Sequence, residues 1–351
     1  MNFGKEIIRW YLANKRDLPW RETRDPYRIW LSEVILQQTR VDQGMAYYHK
    51  FVKNYPTVQD LAQSSENQVL KDWQGLGYYS RARNLHFAAK QVVNDYKGNF
   101  PENAAEISKL KGVGPYTAAA IASFAFDECA PVIDGNVMRV LSRYFGITEA
   151  VDSKEGQNLL KRLAEENISR KEPATYNQAI MEFGALQCVP KNPDCSACPL
   201  SKSCVALQQN MVGELPWKSK KTKVQTVHIY YGVFEKGQEV LFRRRKGLGI
   251  WEGLYDFPAV ESQEALTAEE ALRSIFQKNK KIEAIEVGTF TPEMKHILSH
   301  RKLMISFIRI KVMNKWNIEG EEGRWVKKSD IHELGIPRAI ERYLQEIGWY
   351  E

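Results

Sequence analysis

The sequence contains little cysteine and no long hydrophobic run, and these absences exclude several classes of protein. Only 5 of its 351 residues are cysteine, and four of them lie close together, which argues against a disulfide-built extracellular domain. The most apolar segment, residues 117–126, is much shorter than the roughly 20 residues of a membrane-spanning helix. Residues 1–20 are charged and amphipathic, unlike a signal peptide. We therefore expect a cytoplasmic protein with no membrane partner.

The balance of charge favours a polyanionic partner. The chain has 50 Lys and Arg residues against 43 Asp and Glu residues, a formal net charge of +7 at pH 7. Such a surplus suits binding to nucleic acid, although solubility alone also accounts for it. The length is that of a two-domain protein, and the sequence contains neither an internal repeat nor a low-complexity tract.

A hairpin with two glycines is the most informative motif of the first half. Residues 110–117 read L-K-G-V-G-P-Y-T, between segments 104–109 and 117–126, whose composition favours helix. Because Gly112 and Gly114 have no side chains, their backbone N–H groups can approach an anion, and the second helix adds its dipole. The motif predicts a helix-hairpin-helix that binds a nucleic-acid backbone. An ordinary helical hairpin with a glycine turn is the alternative.

Two carboxylates are candidates for chemistry. Glu33 lies between Trp30 and Leu36 in a mostly apolar helical segment, where burial raises a carboxyl pKa toward the value that a general acid needs near neutral pH. A partly exposed glutamate on an amphipathic helix is the competing interpretation. Asp134 opens a helix in the segment D-G-N-V at residues 134–137, and a role as N-cap is a sufficient structural reason for its presence.

The segment G-L-G-Y-Y-S-R-A-R at residues 75–83 combines two tyrosines with two arginines. Such a cluster suits insertion into a base stack next to phosphates. A helix turn with packed tyrosines explains the same residues equally well.

Four of the cysteines form a compact group. Cys188, Cys195, Cys198 and Cys204 have the spacing C-x6-C-x2-C-x5-C. Four thiolates this close in sequence can form a tetrahedral sulfur site, either for zinc or for an iron–sulfur cluster. Cys129 stands apart from the group and is predicted to be a small core residue.

The character of the sequence changes after residue 207. Residues 208–224 include a basic stretch and are predicted to be a linker. Beyond them, the hydrophobic pattern predicts strands at 227–234, 239–243 and 302–312 and helices at 268–278 and 338–347. The second domain, residues 225–351, is therefore predicted to be α+β.

Six motifs carry a family resemblance. They are L-P-W-R at residues 18–21, S-E-V-I-L-Q-Q-T at 32–39, G-L-G-Y-Y-S-R at 75–81, G-V-G-P-Y-T at 112–117, D-G-N-V at 134–137 and the four cysteines. Together they resemble the adenine DNA glycosylases of the MutY type, in the helix-hairpin-helix base-excision superfamily that also contains endonuclease III.

The resemblance implies a fold. It implies a mainly α N-terminal part, residues 1–207, in which 22–130 form a helix-hairpin-helix six-helix barrel. Residues 1–21 and 131–207 would form an iron–sulfur cluster domain with a 4Fe-4S cluster on the four cysteines. An α+β domain resembling Nudix hydrolases would follow at 225–351.

The resemblance also implies roles for individual residues. Glu33 corresponds to the acid that protonates the flipped adenine at N7, and Asp134 to the carboxylate that stabilises the sugar cation. Asn136 and Tyr116 correspond to positions close to the reacting nucleotide. The adenine pocket corresponds to Arg16, Leu18, Trp20 and Glu182. The DNA contacts correspond to the inserted residues Gln38 and Tyr78 and to the hairpin glycines Gly112 and Gly114.

Two departures from related families narrow the expected activity. Bifunctional lyases of the superfamily place a lysine nucleophile where this chain has Tyr116, so the resemblance implies a monofunctional glycosylase. Nudix pyrophosphohydrolases need a glutamate-rich R-E-x-x-E-E helix for magnesium, and A-E-E-A-L-R at residues 268–273 does not match it. The second domain is therefore expected to recognise the lesion rather than to catalyse.

Lesion recognition in the family uses a short F-S-H loop, which here reads Leu298-Ser299-His300. Leu298 replaces the aromatic residue, whereas Ser299 and His300 retain groups that can hydrogen-bond 8-oxoguanine. The expected partner is double-stranded DNA with adenine opposite 8-oxoguanine or guanine, bound by a monomer during base excision repair. The alternatives are an endonuclease III-like glycosylase and lyase acting on oxidised pyrimidines, and a non-catalytic DNA-binding protein held together by a metal site.

Overall fold

The chain forms two compact units. The computed structural model describes residues 3–219, 224–247, 249–278, 283–298, 301–315 and 322–350. The helical unit consists of Met1–Gln63 and Asn84–Lys221, and the sheet unit consists of Ser64–Arg83 and Thr222–Glu351. The domain boundaries implied by the resemblance stay a prediction.

Most of the chain up to residue 208 is helical. In chain order the helices are α1 (Phe3–Asn14), α2 (Pro26–Ile35), α3 (Val41–Asn54), α4 (Val58–Gln63), α5 (Glu66–Asp72), α6 (Ser80–Asp95), α7 (Ala104–Ile107), α8 (Pro115–Phe126), α9 (Gly135–Phe145), α10 (Lys154–Asn167), α11 (Pro173–Leu186) and α12 (Val205–Gln208). Short 3-10 turns cover Pro19–Arg21 and Ser201–Ser203. Among the described residues, no helix is both long and apolar enough to cross a membrane.

Aspartate side chains cap two of the helices, and the N-cap predicted at Asp134 is confirmed. The Asp25 side chain accepts a hydrogen bond from the Tyr27 N–H at 2.9 Å and begins α2. The Asp134 side chain accepts one from the Val137 N–H at 2.7 Å and begins α9. A break separates α4 from α5, and the Ser65 side chain caps α5.

Helix α8 is the central helix of the helical unit. Its residues from Thr117 to Ala125 are buried on all sides, as expected for a helix that is apolar all round, and it packs against α2, α7 and α11. The prediction that Cys129 is a core residue is wrong, because its side chain is exposed. Asp127 ends α8 in the left-handed conformation, with φ of 54°, and the chain leaves the core there.

The sheet unit is built on one mixed sheet. Its strands are β1 (Gln225–Lys236), β2 (Glu239–Arg244), β3 (Tyr255–Asp256), β4 (Ala259–Ser262), β5 (Ala284–Val287), β6 (Met294–Ile297), β7 (Arg301–Val312) and β8 (Glu322–Lys327). The order is β3-β2-β1-β7-β5, with β4 beside β1, β6 beside β7 and β8 beside β2. Strands β1 and β7 are parallel, with Gln225 opposite Arg301 and Glu235 opposite Lys311. Helices α13 (Ala268–Lys278) and α14 (Arg338–Glu346) complete the unit.

The segment Ser64–Arg83 belongs to the sheet unit although it lies among helices in the sequence. An ion pair of 2.6 Å joins Arg83 to Glu252, and another of 2.9 Å joins Arg244 to Glu66. These long-range pairs attach α5 and the start of α6 to β2 and to the loop that follows it, which no local sequence pattern predicts.

Candidate active site

One cleft of about 290 Å³ in the helical unit brings together eight of the residues named from the sequence. They come from α1's C-terminal loop, the first 3-10 turn, α2, α8, α9 and α11. The eight are Arg16, Leu18, Trp20, Glu33, Tyr116, Asp134, Asn136 and Glu182. The cleft is therefore assembled from segments more than 160 residues apart, whose roles stay predictions.

Glu33 lies on α2 and its side chain is buried, with 8% of the residue exposed. Burial raises the pKa of Glu33 to about 7, and the hydrogen bond from Tyr116 opposes that rise. The Tyr116 hydroxyl donates to Glu33 Oε2 at 2.7 Å. The predicted rise in pKa is confirmed, and the carboxyl is poised to hold or release a proton near neutral pH.

Asp134 is fixed by the N-terminus of α9. Its Oδ1 accepts from the Val137 N–H, and its Oδ2 accepts from Asn136 Nδ2 at 2.9 Å. Burial raises the pKa of Asp134 above its usual range, while these hydrogen bonds to the ionised form oppose the rise. The Asn136 amide is held in turn, because its Oδ1 accepts from Arg139 Nη2 at 2.8 Å.

Glu182 lies on α11, with 1% of its side chain exposed, between two arginines. Arg16 Nη2 and Arg21 Nη2 lie 2.6 and 2.7 Å from Glu182 Oε2. Arg16 Nε and Arg21 Nη1 lie 2.9 and 3.0 Å from Oε1. Burial alone would raise the pKa of Glu182, but the hydrogen bonds from both arginines outweigh it and lower the pKa to about 2.

The predicted helix-hairpin-helix is formed by α7, the turn and α8. Gly112 has φ of +75°, and a Cβ there would come within 2.5 Å of Asn84 Cβ, so the turn requires glycine. Gly114 is the N-cap of α8, and a Cβ there would meet open space. The backbone of the turn is thus compact at Gly112 and accessible at Gly114.

Other predicted DNA contacts lie outside the cleft. Gln38 follows α2 with φ of +56°, and Tyr78, in the sheet unit, has φ of +48° and is 44% exposed. Tyr78 and Leu298 line a separate cavity of about 440 Å³ within the sheet unit. Ser299 and His300 lie outside the described residues.

The four clustered cysteines, Cys188, Cys195, Cys198 and Cys204, line one cavity in the helical unit. Arg143 Nη1 lies 3.5 Å from Cys188 Sγ, and the same guanidinium donates to the carbonyl groups of Val189 and Pro190. Among the described residues, no group of three or more His, Cys, Asp and Glu side chains is arranged to hold a metal ion. Four sulfur donors around one cavity, next to a guanidinium, nevertheless fit the donor set of an iron–sulfur cluster.

Three arginines contribute to the site although they were not predicted from the sequence. Arg21 pairs with Glu182, and Arg139 donates to Asn136 and to the Cys188 carbonyl. Arg143 donates hydrogen bonds to the loop that carries Cys188. The available signal was the spacing of Arg139 and Arg143, one turn apart in the amphipathic segment that forms α9. Charged residues on such a face are buried only when they are paired.

Comparison with known families gives one match in each half of the chain. Residues 31–166 match the model of the HhH-GPD superfamily of base excision DNA repair proteins. Residues 229–346 match the model of the NUDIX domain.

Full-length relatives decide the family. An adenine DNA glycosylase of Buchnera aphidicola subsp. Baizongia pistaciae is 34% identical, over 98% of this chain and 96% of the relative. The chain belongs to the adenine DNA glycosylase family. Another member, from Buchnera aphidicola subsp. Schizaphis graminum, is 30% identical over 98% of each chain.

A solved structure of a thermostable thymine-DNA glycosylase supports the helical fold. It matches with a TM-score of 0.56 and 34% identity, covering 59% of this chain and 95% of that one. The predicted fold class is confirmed, with a helical HhH-GPD region followed by a Nudix-like domain on a mixed sheet.

Proposed function

We propose that the protein is a monofunctional adenine DNA glycosylase, which hydrolyses the N-glycosidic bond of adenine mispaired with 8-oxoguanine or guanine in DNA. The observation that carries the proposal is the pair of carboxyls on one cleft, Glu33 and Asp134. Burial raises the Glu33 pKa to about 7, so a large fraction of this carboxyl carries a proton at neutral pH, while Asp134 accepts hydrogen bonds that favour its carboxylate form. Enzymes that cleave glycosidic bonds commonly use two carboxyl groups with different roles.

The reaction follows from those two protonation states. The Glu33 carboxyl gives its proton to the adenine ring at N7, so the base leaves with the electron pair of the C1′–N9 bond. Asp134 stabilises the positive charge that develops on the sugar, an effect that is strongest in a preorganised site shielded from water. Water then adds to C1′ and loses a proton, which leaves free adenine and an abasic site.

The rest of the cleft suits a purine base. Leu18 and Trp20 supply apolar and aromatic surface, and the Trp20 ring lies edge-on to Tyr48 at 5.2 Å between centroids. Arg16 and Glu182 supply polar groups in fixed positions. The cleft thus combines apolar surface that can pack against the base with polar groups that can fix its orientation.

The absence of a lysine at Tyr116 supports a hydrolytic rather than a lyase reaction. A lyase forms a Schiff base between an amine and C1′, whereas the Tyr116 hydroxyl donates to Glu33. We expect little covalent protein–DNA adduct after borohydride reduction. A strong adduct that depends on one specific lysine would contradict the monofunctional assignment.

Several further assignments belong to this proposal. Gly112 and Gly114 would bind the DNA backbone, and Gln38 and Tyr78 would insert into the base stack beside the lesion. Ser299 and His300 would hydrogen-bond 8-oxoguanine. Cys188, Cys195, Cys198 and Cys204 would hold a 4Fe-4S cluster, whose contribution is to cross-link the loop after α11. The protein would act on DNA as a monomer.

Single-turnover base release tests the proposal. The substrates are duplexes with adenine opposite 8-oxoguanine, guanine or thymine, with the holoprotein in excess. Release of adenine opposite 8-oxoguanine and guanine, and not opposite thymine, is expected. Release of an oxidised pyrimidine instead, or binding with no release from any duplex, would overturn it. Visible absorbance typical of iron–sulfur charge transfer, rather than a colourless zinc protein, tests the cluster assignment on the same sample.

A further inference from the structure

The turn between α5 and α6, residues 73–79, is held in an unusual backbone conformation. Gly75 and Gly77 have φ of +93° and +77°, and Tyr78 has φ of +48°. Tyrosine occupies this left-handed region only when its surroundings compensate the steric cost. The side chain of Tyr78 nevertheless remains 44% exposed. Tyr78 therefore combines an exposed aromatic ring with a backbone conformation that tyrosine rarely adopts.

Arg81 supplies the compensating contacts. Its side chain is buried, and its guanidinium carbon lies 5.6 Å from the centre of the Tyr78 ring and 5.1 Å from the centre of the Trp73 ring. A guanidinium at this distance from an aromatic face is attracted by the ring quadrupole. Arg81 is thus in cation–π distance of both the exposed ring and the fully buried Trp73.

The same arginine also holds the backbone that precedes Tyr78. Arg81 Nη2 donates to the Gly77 carbonyl at 3.2 Å, and Trp73 Nε1 donates to the same oxygen at 3.0 Å. The Gly75 N–H donates to the Tyr79 hydroxyl at 3.2 Å. Ring and backbone are therefore fixed together by one buried cation.

Burial lowers the pKa of Arg81 to about 10, so the guanidinium is still charged at neutral pH. Its charge is retained where it can act on the rings, and its planar shape suits stacking in a way that a lysine ammonium does not.

We propose that Arg81 is a positioning residue, which presets the exposed ring of Tyr78 for insertion into the DNA base stack. The proposal rests on the wedge role of Tyr78 under the proposed function. A wedge that is ordered before binding loses less conformational freedom when DNA arrives, and insertion offsets the cost of extruding the target base.

A first experiment reads the ring in the free protein. The full-length holoprotein is labelled with 3-fluorotyrosine, and the Tyr78 signal is assigned by its loss in Tyr78→Phe. The fluorine resonance of Tyr78 should shift and change width in Arg81→Met, and change less in Arg81→Lys. An unchanged resonance in Arg81→Met, with other signals intact, would overturn the proposal whether or not the protein releases adenine.

A second experiment measures coupling on DNA. Single-turnover base release and the fluorescence of 2-aminopurine placed beside the lesion are compared for Tyr78→Ala, Arg81→Met and the double variant. Arg81→Met should slow base release by about tenfold. In the Tyr78→Ala background it should cause almost no further loss, because residues that act through one contact are not additive.

Arg83→Met is the matched control, since Arg83 lies on the same helix but pairs with Glu252. Its effect should be the same with and without Tyr78. If Arg81→Met lowers base release equally in both backgrounds, or if Arg83→Met couples to Tyr78 as strongly, Arg81 only maintains the helix and the proposal fails. If Tyr78→Ala changes neither 2-aminopurine fluorescence nor base release while adenine is still excised, the wedge role fails and the glycosylase assignment survives.

Discussion

The two sides of the cleft treat a buried glutamate in opposite ways. On the α2 side, Glu33 is buried and accepts a hydrogen bond from the Tyr116 hydroxyl, and burial raises its pKa to about 7. On the α11 side, Glu182 is even less exposed, yet two arginines lower its pKa to about 2. Burial alone therefore does not determine the charge of a carboxyl. The partners decide it, as the balance of desolvation and charge-assisted hydrogen bonds requires.

The contrast separates two tasks within one site. The Glu33 carboxyl can exchange its proton near neutral pH, which chemistry requires. Glu182 stays ionised over the whole physiological range and fixes the positions of Arg16 and Arg21. Under the proposed function, Glu33 would supply the reacting carboxyl and Glu182 would act as a rigid support. Substitutions at the two glutamates should therefore fail in different ways.

The largest expected effect is on catalysis at Glu33. Glu33→Gln keeps the shape of the side chain but removes its transferable proton, so single-turnover base release should fall about a thousandfold or more. DNA affinity, measured by titration of a labelled mismatched duplex, should stay close to that of the unmodified protein. Base release within about threefold of the original rate would contradict the role of Glu33 as the acid.

The next largest effect is on stability at Glu182. Glu182→Gln leaves two guanidinium groups beside a neutral amide, and breaking such a buried network costs about 3 kcal/mol. The matched control is Glu165→Gln on α10, whose partner Lys161 lies 3.8 Å away on an exposed surface, where a pair contributes less than about 1 kcal/mol. Urea unfolding of both variants decides the point, and equal losses would show that the Glu182 network is not special.

The sequence predicted the raised pKa of Glu33 but not the lowered pKa of Glu182. The apolar neighbours of Glu33 lie within one helix, so a local pattern predicted a raised pKa. The hydroxyl of Tyr116, 83 residues away, and the Arg16–Glu182 pair, 166 residues apart, come from contacts that only the folded chain creates. The wrong placement of Cys129 has the same origin, because the turn at Asp127 carries the chain to the surface.

The fold shows the same division between local and long-range information. The cap at Asp134 and the helix at Ala268–Lys278 follow from short patterns and are confirmed. The assignment of Ser64–Arg83 to the sheet unit does not, since it depends on ion pairs such as Arg244–Glu66. Motifs located the carboxyls, but the arginines that fix one of them are visible only in three dimensions.

A third prediction measures the pKa of Glu33 without using activity. A folded-state pKa of about 7, raised from 4.5, means that the carboxyl stabilises the fold below pH 4.5. This contribution is lost as pH rises through 7. Between pH 5 and pH 8 the loss is about 2.5 kcal/mol. Glu33→Gln has no such carboxyl. The free energy of unfolding of the variant minus that of the unmodified protein should therefore increase by that amount from pH 5 to pH 8. A pH-independent difference would place the Glu33 pKa near its ordinary value.

The smallest expected effect tests the hydrogen bond from Tyr116 to Glu33. The Tyr116 hydrogen bond stabilises the ionised form and so lowers the Glu33 pKa, and Tyr116→Phe should raise it. Because the acid must be protonated to act, the decline in single-turnover rate at high pH should then move to higher pH, to roughly a tenfold lower proton concentration. Tyr27→Phe is the control, because Tyr27 lies on α2 with Glu33 but its hydroxyl donates to the Tyr55 carbonyl. If the decline in rate moved to lower pH in Tyr116→Phe, the hydroxyl would stabilise the protonated carboxyl. Burial alone would then not explain why the pKa of Glu33 is higher than that of Glu182.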